Sequence, residues 1–118
     1  MVFTSGERAE LARLPSERRR RRAVELWTLK EAYLKARSLG LFLPVERVEV
    51  VFRDGTRPML QLLPPIEDDP ARRALSSVEI EQHLVSICAE VERGLAVDVR
   101  AQSADLSALL SSSASSPA

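Results

Sequence analysis

The sequence predicts an α+β domain, helices packed on a small antiparallel sheet, and three features carry that prediction. Residues 18–37 contain no Gly or Pro and are dominated by Ala, Leu, Arg, Lys and Glu, a helix-forming composition. The periodicity then changes: Val48, Val50 and Phe52 alternate, and Asp54-Gly55 comes next as a hairpin signal. Further on, Val78 and Ile80 set one alternating register whereas Val85, Ile87, Ala89 and Val91 set the opposite one. A one-residue slip turns side chains to the other face, so this stretch reads as two strands joined by a turn near Gln82-His83. Val78, Glu81, Val85 and Cys88 also tolerate a helical reading.

In chain order, Ser5 or Gly6 opens a first helix carrying Ala9, Leu11 and Leu14, and Pro15 stops it. Ser16 is placed to cap a longer helix, with Glu17 near its positive end. Ala23, Leu26, Trp27, Tyr33 and Leu34 recur at helical spacing, Leu29 and Ala36 broaden that face, and Gly40 is the expected stop. Met59, Leu60, Leu62 and Leu63 supply the return strand of the first hairpin. Pro64-Pro65 and Glu67-Asp68-Asp69-Pro70 read as an exposed, solvated loop. Leu95, Val97 and Val99 suggest a short further strand. Residues 1–100 then form the domain and residues 101–118, rich in serine, a mobile tail.

At 118 residues the chain has room for one core, and 45% hydrophobic with 29% charged residues is a globular composition. No stretch approaches the roughly 20 apolar residues of a bilayer span, and no secretion signal is visible. A single cysteine, Cys88, excludes an internal disulfide, so a cytosolic protein is expected. The net charge of zero hides a division: residues 1–37 carry ten Arg and Lys against five Glu, and the remainder is acidic by the same margin. Such a basic front suits an anionic ligand or an acidic partner protein. Arg18 to Arg22 wrap all round a helix and read as a solvated helix start or an acidic-partner contact. The low aromatic content argues against a nucleic-acid module.

Chemistry concentrates in Trp27-Thr28-Leu29-Lys30-Glu31-Ala32-Tyr33-Leu34-Lys35-Ala36. On a helix, Trp27, Glu31 and Lys35 share one stripe, which sets a hard oxygen ligand one turn from a cation. A magnesium-bound pyrophosphate needs both, although Glu and Lys at this spacing are also a common surface pair. The decapeptide resembles the W-x-x-K-E-A-x-x-K-A signature of 4′-phosphopantetheinyl transferases, particularly the two-lobed Sfp-like type. Phe3-Thr4 with Glu7 resembles the F-x-x-x-E that opens the preceding helix of that family. Leu14-Pro15, the Arg-rich helix and Leu26-Trp27 resemble its lead-in, and Gly40-Leu41 and Pro44 to Val50 resemble the loop and strand after the signature.

The resemblance covers about residues 3–91 and implies most of one lobe of the transferase fold. It implies transfer of the phosphopantetheine arm of coenzyme A to a serine of an acyl or peptidyl carrier protein, dependent on Mg²⁺. Such transfers serve fatty acid, polyketide and nonribosomal peptide biosynthesis. By the same resemblance Glu31 is the metal-binding carboxylate, Lys35 contacts the coenzyme phosphates, Lys30 gives phosphate or local charge support, and Trp27 is a packing residue. The sequence departs from the family pattern in having no G-x-D-x-E, the strand whose acids complete the magnesium site, and Ser38 stands where glycine is frequent. The chain therefore resembles the C-terminal portion of such an enzyme, needing its missing lobe or an oligomer to complete the site and inactive alone. A carrier-protein-binding remnant without catalysis is the alternative. His83 at a turn, Cys88 among apolar neighbours and the acidic loop read as structural.

Overall fold

The computed structural model describes residues 3–37 and 43–93. Gly40, the 95–99 strand and the serine-rich tail expected from the sequence lie outside the described residues. Helices α1 (Ser5–Arg13) and α2 (Ser16–Ala36) precede two antiparallel hairpins, β1 (Val48–Arg53) with β2 (Arg57–Leu62) and β3 (Arg73–Ile80) with β4 (His83–Glu90). The α+β class holds, with two two-stranded sheets in place of one, and β2 lies beside β3.

Helix α1 opens at Ser5, as expected, and its cap is Thr4. Its hydroxyl accepts the Glu7 N–H at 3.1 Å while its own N–H donates to the Glu7 carboxylate at 2.9 Å, a reciprocal capping box. Ser16 lies inside α2, whose cap position is Pro15. Asp54 and Gly55 take positive φ values of 53° and 74°, and Thr56 donates to the Arg53 carbonyl. The second turn lies at Glu81 and Gln82, one residue earlier than expected, with φ values of 47° and 71°. Both central residues of a two-residue hairpin turn need this left-handed backbone, since its twist matches that of the strands.

The core is Leu11, Leu26, Leu29, Tyr33, Val48, Val50, Phe52, Leu60 and Leu75. Trp27 does not belong to it: its place on the inner face of α2 is taken by Lys30. Helical geometry puts Leu26, Leu29, Lys30 and Tyr33 on one side, and Trp27 lies well round from their centre. Glu7 makes this possible. Its carboxylate and the Lys30 ammonium are 2.7 Å apart with at most 1% of either side chain exposed, and its other oxygen accepts the Val50 N–H of β1 at 2.8 Å. Three donors from three segments thus converge on one buried carboxylate, which compensates its desolvation. Thr4 adds a hydrogen bond to Glu49 on β1 at 2.6 Å.

The arginine run is largely absorbed by the fold. Arg19 donates to the Leu11 and Leu14 carbonyls at the end of α1. Arg21 forms a two-pronged pair with Glu79 on β3, and Arg22 stacks over Phe52 while donating to the Gly55 carbonyl. The acidic loop is likewise not simply solvated: Asp68 accepts from Tyr33 at 2.9 Å and from Arg73 at 3.0 Å, fixing the loop to α2 and β3. Burial disfavours the Asp68 charge, but these two hydrogen bonds, with the Asp69 backbone N–H and the Arg73 charge, together outweigh it and hold the carboxyl below its ordinary value.

These contacts set two expected outcomes. Lys30→Met leaves the Glu7 carboxylate buried without its cation and should cost about 3–5 kcal/mol in urea unfolding. Adding Glu7→Gln to it should restore part of that loss, so the double variant should be well short of the sum of the singles. Because the Asp68 carboxyl is depressed in the folded state, its stabilisation is present above its unfolded value of about 3.9 and disappears as pH falls through the lower folded value. The stability gap between wild type and Asp68→Asn should therefore be constant at neutral pH and narrow in acid below about pH 4.

Candidate functional site

The site is built on the side of α2 that turns away from the core. Going round the helix, Glu25 accepts from Ser77 of β3 at 2.6 Å and Thr28 meets Ser86 of β4 at 2.7 Å. The next positions in the same direction are Val24, Glu31 and Lys35, with Trp27 just beyond. Val24 is 39% and Trp27 43% exposed, Glu31 is half-buried and Lys35 exposed. Glu31 and Lys35, one turn apart, thus stand on a face that no core residue covers.

The placement of each predicted residue reflects this geometry. Glu31 and Lys35 lie together on the outer side of α2, Lys35 in its last turn, where a cation is favoured by the carbonyl end of the helix. Of the two roles expected of Lys30, phosphate contact or local charge support, its inward-directed ammonium held by Glu7 fits the second, because α2 presents that position to α1 and β1. Trp27 is corrected, from a packing residue to a largely exposed indole beside Glu31. His83 is exposed at the start of β4, and burial pushes the Cys88 thiol up, away from the reactive thiolate.

Chemically, the face offers one carboxylate, one ammonium and a flat apolar ring. That set can neutralise and orient an anionic ligand. It does not fit a complete magnesium site, because a hard cation is held by several oxygens and, among the described residues, no three His, Cys, Asp or Glu side chains converge. A second basic surface lies at the other end of α2: a cavity of about 250 Å³ between the helix and the β1–β2 turn, where Arg18, Arg21 and Arg22 face Thr56. No described helix is long and apolar enough to cross a membrane.

Sequence reasoning missed Glu7 as the partner of Lys30. The signal was present in the Thr4-x-x-Glu7 spacing, which reads as a capping box, but pairing Glu7 with a residue 23 positions later requires the fold. The Tyr33–Asp68–Arg73 contact was hidden for the same reason.

No curated protein and no solved structure matches the chain significantly. The family model of the 4′-phosphopantetheinyl transferase superfamily matches residues 1–88, a span that contains α1, α2 and the first hairpin and runs into β4. With three-quarters of the chain matched and an α+β arrangement of the kind the resemblance implies, the chain belongs to the 4′-phosphopantetheinyl transferase superfamily.

Proposed function

We propose that this chain is the C-terminal part of a two-lobed, Sfp-like phosphopantetheinyl transferase. The substrates are coenzyme A and an acyl or peptidyl carrier protein, and the reaction depends on Mg²⁺. The observation that carries this reading is that the family match spans half-buried Glu31 and exposed Lys35, the two charged motif residues on the side of α2 away from the core.

In this reading the serine oxygen of the carrier protein forms a bond to the phosphorus bearing the pantetheine arm. The bond from that phosphorus to the adenosine 3′,5′-bisphosphate oxygen breaks, and the serine proton passes to solvent water. Lys35 places a cation against the phosphate oxygens and so stabilises charge on the leaving group. Glu31 would supply one oxygen to the metal, which when bound would neutralise charge on the pyrophosphate. The remaining oxygens must come from outside the described residues, so no step is assigned to the metal. Arg18 and Arg20, exposed on α2, are suited to an acidic carrier protein. That same surface is what supports the second reading, a module that binds carrier proteins without catalysis.

Two measurements test the reading. The purified chain, given coenzyme A, Mg²⁺ and an apo carrier protein, should show little or no transfer, and robust Mg²⁺-dependent turnover would contradict it. Coenzyme A binding, followed by calorimetry at fixed ionic strength, should weaken about tenfold in Lys35→Ala, in keeping with loss of one charge-assisted contact, and stay nearly unchanged in Arg20→Ala. Glu31→Gln should abolish any strengthening of that binding by Mg²⁺. Equal, small effects of all three substitutions would reduce Glu31 and Lys35 to a surface pair. Retention of carrier-protein binding without coenzyme A binding would favour the second reading.

A further inference from the structure

The pairing of the second hairpin assigns a direction to each of its backbone groups. Val91 donates its N–H to the Arg72 carbonyl at 2.9 Å, and the register carries the same odd-to-even matching up to Ile80 opposite His83. Residues of an antiparallel pair alternate between facing the partner strand and facing away. Val85, Ile87 and Ala89 therefore bond to β3, and the N–H and C=O groups of Leu84, Ser86 and Cys88 point to the opposite side. Among the described residues no backbone group bonds to these outward groups.

The other strands are treated differently. On β1 the outward Val50 N–H is taken by the buried Glu7 carboxylate, and the far side of β3 lies beside β2. Edge strands of soluble proteins are usually guarded by a charge, a proline, a bulge or a covering segment. From Leu84 to Ala89, β4 reads Leu-Val-Ser-Ile-Cys-Ala, with no charge, no proline and an unbroken one-to-one register. Val85 and Ile87 are 40% and 36% exposed on the face away from α2, and Val78 pairs with Val85 beside them. Apart from the raised Cys88 thiol, titratable side chains occur only at the strand's ends, as His83 and Glu90.

We propose that β4 is a dimerisation edge: two copies of this chain pair their β4 strands antiparallel about a two-fold axis and join their second hairpins into one continuous sheet. A second copy is the occupant that the strand's own sequence fits. Antiparallel pairing reads the uncharged stretch against itself, with Ser86 opposite Ser86 and Leu84 opposite Cys88 as a permitted register, and brings each His83 end toward a Glu90 end. The net charge of zero removes the repulsion that keeps charged proteins apart. The strips of Val85 and Ile87 become continuous across the axis. Since Thr28 of α2 sits on Ser86, the incoming strand comes beside the side of that helix that carries Val24, Glu31 and Lys35. Pairing consumes the edge, so assembly closes at the dimer. This inference does not rest on the transferase reading.

Sedimentation equilibrium of the full chain over a wide concentration range tests it. A reversible monomer–dimer equilibrium is expected, with a limiting mass twice the 13.1 kDa of the monomer. Ser86→Pro removes an outward N–H without touching the β3 ladder. By symmetry it deletes the bond twice and should raise the dissociation constant about tenfold or more while the circular dichroism spectrum is kept. Should that variant misfold, Val85→Lys with Ile87→Lys decides the matter, since both positions are exposed in the monomer and would set like charges across the axis. A chain that stays monomeric at all concentrations overturns the proposal. So does a dimer indifferent to the folded variants, or association that continues past the dimer.

Discussion

Glu7 is a fully buried carboxylate, and it receives a hydrogen bond from the cap of its own helix, an ammonium from α2 and a backbone N–H from β1. A charge in that position is tolerated only with all its partners present, because the interior gives no compensating hydration. The junction sets how α2 is turned about its own axis. With Lys30 fixed inward, Glu31 and Lys35 are carried to the side of the helix away from the core, with Trp27 beside them. One buried pair therefore determines which of the motif's charged residues meet solvent.

Neighbouring residues on α2 consequently do unrelated work. Lys30 and Glu31 are adjacent in sequence, yet one neutralises an internal charge and the other belongs to the open face. The same division runs through the arginines: Arg19, Arg21 and Arg22 bind carbonyls, a carboxylate and an aromatic ring of this chain, whereas Arg18 and Arg20 stay at the surface. A run of like charge is thus part clamp and part surface: Arg19 ties α1 to α2, and Arg21 and Arg22 reach the two hairpins. The network of Tyr33, Asp68 and Arg73 performs the corresponding task at the other end of α2.

The two hairpins also differ in how their edges are finished. The first is closed by a side-chain carboxylate taken from α1, and its strands carry Arg53, Arg57 and Glu49 among their apolar residues. Among the described residues the second has neither device between Leu84 and Ala89, so unpaired backbone groups gather on one strand, next to the helix face that carries Glu31.

The sequence by itself determined the local elements and the family. Composition without Gly or Pro dictated α2, Asp54-Gly55 dictated the first turn, and the change of register between Ile80 and Val85 dictated the second, because each is a property of neighbouring residues. The wording of residues 27–36 pointed to the transferase superfamily. Only the tertiary structure decided that Lys30 is inside and Trp27 outside, since periodicity ranks residues by hydrophobicity and cannot foresee a carboxylate arriving from another helix to neutralise a lysine. It also decided that Asp68 is held by Tyr33 and that, among the described residues, only β3 pairs with β4. Those facts depend on pairings between segments dozens of residues apart, and no local pattern encodes a partner that folding alone brings into reach.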